Sequence, residues 1–261
     1  MQQYRDFVGR EGDAAGISYW VNEINAGRQT RSGMAQVFLE SAEYQALIAP
    51  VTRLYFATFM RVPDYAGLQF WVREYASGRS SYATIAEAFA LSAEFLTNYG
   101  ALNDAQFIDR VYGNVLGRSS AGDPGYSYWL GELSSGRLSR GAVLGAFSEA
   151  AEYRTSNAAG ILVVSINAAM LKRSPSLAEF NADTVALRNG TQSAPSLIQR
   201  TLESTEYLKR FRPDVVDPCE WGSAKAGGCL PAPRSAINGR DAPGQSCLSD
   251  GPGPCGSWEV I

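Results

Sequence analysis

The chain repeats itself, and this constrains its fold more than any other feature. Tyr4, Tyr55 and Tyr112 each stand six residues before Arg10, Arg61 and Arg118. Trp20, Trp71 and Trp129 each stand seven before Gly27, Gly78 and Gly136. Phe38, Phe89 and Phe147 follow those glycines by eleven residues, and Glu43, Glu94 and Glu152 follow by sixteen. Four shared offsets in three segments define a unit of about 54 residues. A worn fourth copy spans residues 161–211. Arg173 takes the arginine position and Gly190 keeps its offsets to Ser204 and Glu206, but Asp183 replaces the tryptophan and Thr201 the phenylalanine. Those polar replacements predict a terminal cap on the array. Copy one opens three residues before Tyr4, which predicts a truncated first helix and further chain upstream.

Within one unit the letters specify helices. Apolar residues in LYFATF and AEAFALSAEFL recur at intervals of three and four, the period of an amphipathic helix. Asp13, Asp64 and Asp123, with Ser176 in the fourth copy, stand where a side-chain oxygen caps the second helix and meets its positive dipole end. Gly27, Gly78, Gly136 and Gly190 end that helix as left-handed residues. Thr30, Ser81, Ser139 and Ser193 then cap a third and longest helix. Trp20, Trp71 and Trp129, with Tyr19, Phe70 and Tyr128 beside them, are the expected core anchors, the alternative being platforms on which sugars stack. The fold class is all-α: tandem three-helix repeats, three clear and one degenerate. Residues 1–100 hold copies one and two, and 101–211 hold copies three and four.

Residues 212–261 differ in kind. They hold 7 of the 12 prolines, 8 of the 26 glycines and all four cysteines, which excludes a helix. Cys219, Cys229, Cys247 and Cys255 lack the paired CxxC knuckles of most zinc sites and read as two disulfides, with three pairings open. Disulfides imply an oxidising compartment, so the chain is expected outside the cell or on its surface. The opening residues MQQYRDFVGREGD offer no apolar export signal, so export by another route, or a start further upstream, is expected. The most apolar run, residues 161–171, is too short to span a bilayer.

Charge and chemistry narrow the function. A net charge of -3 gives no steering toward nucleic acid or anionic membrane, and the absence of histidine removes imidazole acid–base chemistry and imidazole metal ligands. No nucleophile elbow, phosphate loop or dinucleotide fingerprint occurs, so no catalytic residue and no cofactor is assigned. Arg10, Arg61 and Arg118, with Arg173, admit two readings: a row that binds glycan carboxylates or an acidic partner, or pairs with Glu43, Glu94, Glu152 and Glu206 inside each repeat. A residue present in every copy serves the repeat, which favours the pairs. Asp13, Asp64 and Asp123 are candidate calcium ligands, but one or two carboxylates per loop fall short of the six to eight oxygens calcium takes. Helix capping accounts for them.

The pattern GRxxDxxGxxYW, then a glycine turn and FxxSxEY, resembles the bacterial domain-of-unknown-function 4214 family. Gly9, Arg10, Asp13, Gly16, Tyr19, Trp20, Phe38, Ser41, Glu43 and Tyr44 carry it in copy one. Copies two and three depart at Met60, for glycine, and Ala150, for serine. The pattern is also similar to the helical linker domains of phycobilisomes. The resemblance implies secreted or surface-attached bacterial proteins and, through the linker likeness, organisation of other proteins; it implies no catalytic residue. The expected function is therefore a non-enzymatic extracellular or cell-surface scaffold that links partner subunits, the alternative being a carbohydrate- or surface-binding module.

Overall fold

A computed structural model describes residues 2–211. Those residues form helices and turns, with no strand among them. Copy one comprises a π turn at Tyr4–Val8, then α1 (Ala14–Asn25), α2 (Arg31–Glu40) and the start of α3 (Ala42–Phe59). The rest of α3 opens copy two, which continues through α4 (Tyr65–Ala76), α5 (Tyr82–Ala90) and α6 (Ala93–Tyr99). Copy three runs α7 (Asp104–Val111), a π turn at Tyr112–Leu116, α8 (Pro124–Ser134), α9 (Arg140–Ser148) and α10 (Ala151–Ser156). Copy four follows the same order: α11 (Ala158–Ile166), a π turn at Asn167–Leu171, α12 (Leu177–Arg188), α13 (Ala194–Glu203) and α14 (Thr205–Lys209).

The long third helix expected in each unit is two helices. The serine of FxxSxEY breaks it: Ser41, Ser92 and Ser204 leave the helical region, and their hydroxyls accept from the amides of Tyr44, Phe95 and Tyr207. The same hydroxyls donate back to the carbonyls of Phe38, Phe89 and Thr201 at 2.6–2.7 Å. One side chain thus ends one helix and starts the next. The unit has four helical segments rather than three.

Packing does not follow chain order. Helix α5 lies against α9, and α2 lies against α13, so copy two pairs with copy three and copy one with copy four. Two apolar clusters result. Leu54, Ile85, Phe107, Val111 and Leu144 centre the first, and Phe7, Met34, Ile166, Met170 and Ile198 the second. Copy four is therefore not an outward-facing cap, because its α13 supplies the surface that copy one's α2 needs for burial. Three ion pairs reinforce the grouping. Asp6, with a side chain only 1% exposed, receives Lys172 and Arg210 at 3.0 Å each, tying copy one to copy four. Arg53 meets Glu149 in a bidentate pair at 2.8 and 2.6 Å, joining α3 to the end of α9.

Candidate functional site

The tyrosine, tryptophan and phenylalanine of each repeat meet as one aromatic cluster. Tyr4, Tyr55 and Tyr112 stand edge-on to Phe38, Phe89 and Phe147 at 4.7, 4.7 and 5.1 Å between ring centres. Trp20, Trp71 and Trp129 approach the same phenylalanines at 6.0, 5.6 and 5.1 Å. Trp20 is buried, while Trp71 and Trp129 are half-buried. Gly16 and Gly67 make room for this cluster, since a Cβ there would lie 2.4 Å from the Tyr4 hydroxyl and 2.6 Å from that of Tyr55. In copy four all three aromatic positions are polar. Asn167 and Thr201 hydrogen-bond to the Val163 and Leu197 carbonyls of their own helices, and Asp183 pairs with Arg200 at 2.6 Å.

The signature arginines are clamps within their own repeats. Arg10 meets Glu43 at 3.1 Å, Arg61 meets Glu94 at 2.7 Å, Arg118 meets Glu152 at 3.1 Å and Arg173 meets Glu206 at 2.5 Å. Each arginine enters a short loop directly after a left-handed residue, and the clamp holds that loop to the start of the last helical segment. Arg61 holds the Glu94 carboxyl below its ordinary range. These contacts match the intra-repeat reading of the four arginines.

The loop aspartates are spent on capping. Asp13, Asp64 and Asp123 accept from the amides of Gly16, Gly67 and Gly125 at 2.8, 2.7 and 2.7 Å. The Gly16 amide keeps the Asp13 carboxyl low, and Arg118 does the same for Asp123. Asp123 also accepts from the Tyr112 hydroxyl at 2.9 Å. Among the described residues no three acidic or thiol side chains converge as ligands for a metal ion. Cys219, Cys229, Cys247 and Cys255 lie outside the described residues.

A second set of recurring groups was missed in the sequence. Glu23, Glu74 and Glu132 pair with Arg28, Arg79 and Arg137 at 2.6 Å in every case, across the glycine turn that ends the second helix. Their signal was present: glutamate four residues before the glycine and arginine one after it, in three copies. On the same helices Tyr19, Phe70 and Tyr128, expected in the core beside the tryptophans, instead face solvent at 55, 47 and 57% exposure, because the tryptophan of each helix takes the inward position against the phenylalanine. Each stands edge-on to its neighbouring tryptophan at 5.2, 4.9 and 5.1 Å. The aromatic, the glutamate and the arginine are lost together in copy four, where Ala182, Ala186 and Thr191 replace them. A copy that folds without the set shows that the helices do not require it. What it presents is an apolar ring face beside a guanidinium more than half exposed, a combination suited to contacts rather than to bond-making.

No helix among the described residues is long and apolar enough to cross a membrane. The model of a family described as a domain of unknown function, DUF4214, matches residues 2–48, 50–98 and 86–157. No curated protein and no solved structure matches the chain.

Proposed function

Because this chain belongs to the DUF4214 family, whose signature residues here go into folding the repeat, we propose that it is a non-enzymatic scaffold that links partner protein subunits outside the cell or at its surface. One observation carries the reading: the recurring polar groups are consumed inside each repeat, while Tyr19, Phe70 and Tyr128 recur as exposed rings. Recurrence argues for repeated contacts of one kind, and aromatic side chains with arginine are the groups most enriched in protein interfaces. The extracellular placement rests on the four cysteines of residues 212–261, read as two disulfides. Thiol titration of the denatured protein tests this directly: no free thiols are expected, and four would overturn the assignment.

The native mass of the protein extracted from its source, by size exclusion with light scattering, tests the scaffold itself. A large particle of fixed composition is expected, and elution as a lone 28.2 kDa chain would overturn the reading. Removing residues 212–261 is expected to weaken assembly while leaving the helical circular dichroism intact.

A carbohydrate-binding module is the second reading, favoured by the exposed ring beside an Arg–Glu pair. Such a ring stacks on the apolar face of a sugar while the arginine and glutamate serve its hydroxyls. A glycan array separates the two readings. Saturable binding lost in Phe70→Ala and Tyr128→Ala would select the module, and silence would leave the scaffold.

A further inference from the structure

A cleft of about 520 Å³ opens where all four copies meet. Its walls come from the end of α2 and the first part of α3, from α10, and from α11. That size falls within the range of small-molecule sites, and the lining is mostly apolar, as such sites are. Leu39 and Ile161 are buried in the walls and Leu162 is half-buried.

Among the polar lining groups, Gln45 and Thr155 donate to the Leu39 and Ala151 carbonyls, which leaves the two arginines as the cleft's available donors. Arg53 is 5% exposed, and Glu149 occupies its Nε and Nη2, while no group among the described residues meets its Nη1. Arg154 stands exposed at the rim with no carboxylate partner among the described residues. The repeat does not demand an arginine there, since the equivalent residues, two after each clamping glutamate, are Gln45, Leu96 and Leu208. Tyr44 and Ser165 line the same cleft, each 2% exposed, with their hydroxyls turned toward each other. Glu40, the acidic member of the lining, is held by Gln36 at 2.7 Å.

The Arg154 guanidinium, without a carboxylate partner, and the spare Nη1 of Arg53 above an apolar wall call for an acceptor that carries an apolar body. We propose that the cleft binds a small monocarboxylate, its carboxylate held by Arg154 and the free Nη1 of Arg53, its apolar part against Leu39, Ile161 and Leu162. The site uses none of the exposed rings, so it stands or falls independently of the scaffold.

Fluorescence titration of the full chain with cis-parinaric acid, a carboxylate that brightens in apolar surroundings, tests the proposal, with parinaryl alcohol as the neutral counterpart. Saturable one-to-one binding of the acid is expected, with weaker binding of the alcohol. Arg154→Gln is expected to weaken the acid by a factor of roughly 10–100, the worth of a charge-assisted contact. Ala158→Trp, which fills the mouth from an exposed position, is expected to abolish binding while the helical circular dichroism stays unchanged. Absence of saturable binding, an alcohol that binds as well as the acid, or full affinity in Arg154→Gln would overturn the proposal.

Discussion

The backbone before each clamping arginine turns left-handed, with φ of 69° at Gly9, 54° at Met60, 68° at Gly117 and 57° at Lys172. Only two of those four residues are glycines, and a side chain in that region costs on the order of 1 kcal/mol. Met60 is 53% exposed, so trimming it forfeits little burial. Met60→Gly is therefore expected to raise stability by about 0.5 kcal/mol, the relieved strain outweighing the added freedom of the unfolded chain. Urea denaturation reads this as a higher midpoint at unchanged slope, and a lower midpoint would contradict it. Lys172 is a poor choice for the same test, because its ammonium is spent on Asp6. Glu179 gives a residue-scale prediction in pH. Arg173, together with the Ser176 amide, brings the Glu179 carboxyl from its ordinary 4.5 down to about 2. A carboxylate lowered on folding contributes stability that is whole above the unfolded value and is lost as pH falls through the folded one. The loss thus belongs between about pH 4.5 and 2. At 43% side-chain exposure, solvent screening keeps it below about 1 kcal/mol. Glu179→Gln is expected to flatten that part of the stability–pH curve, and an unchanged slope would count against the pair.

At the scale of elements, the FxxSxEY serine decides where helices stop. Copy three lacks it: Ala150 stands at the break before α10, with no side-chain cap. The break persists there without the hydrogen bond that Ser41, Ser92 and Ser204 supply. Ala150→Ser is expected to gain about 1 kcal/mol, visible as a higher melting temperature, and Ser92→Ala to lose a similar amount. Copy four shows the complementary compensation. Where the tyrosine becomes Asn167, the glycine that made room for the ring becomes Glu179, which caps its own helix and takes Arg173 at 2.7 Å. A bulky residue thus replaces the glycine in the copy that has no ring there to accommodate.

For the whole molecule, the pairing of copy one with copy four and of copy two with copy three sets which pieces are self-sufficient. Residues 50–157 contain both members of one pair, with the apolar cluster centred on Leu54, Phe107 and Leu144. Residues 2–98 also hold two consecutive copies, but α2 is then without α13, and Asp6 without Lys172 and Arg210. The 50–157 fragment is expected to melt cooperatively with helical circular dichroism, and the 2–98 fragment to be largely unfolded at its copy-one end. Equal stability of the two would refute non-consecutive pairing. Full-length Asp6→Asn is expected to lose on the order of 3 kcal/mol, since it leaves two cations without their buried counter-charge.

Local structure and the clamps were legible because both are written in short, repeated spacings. A cap needs an oxygen next to a helix start, so Asp64 and Ser81 announce themselves. The Arg61–Glu94 pair is visible as two charges that recur 33 residues apart in three copies and 34 apart in copy three. The serine break was hidden because FLESAEY and FALSAEF keep an unbroken helical period across it, so periodicity alone reads through the cap. The pairing of copies was not in the spacing at all. Every copy offers a similar apolar face, and a choice among similar faces rests on steric fit: a Cβ at Gly141 would lie 2.8 Å from the Ala86 carbonyl oxygen where α9 meets α5. By itself, then, the sequence determined the repeat, its caps and its internal ion pairs, because these depend on residues close along the chain or fixed at a recurring distance. Tertiary structure alone decided which copies pair, which aromatic rings stay in water and where an unpaired arginine meets an apolar cleft, because those depend on how distant helices fit together.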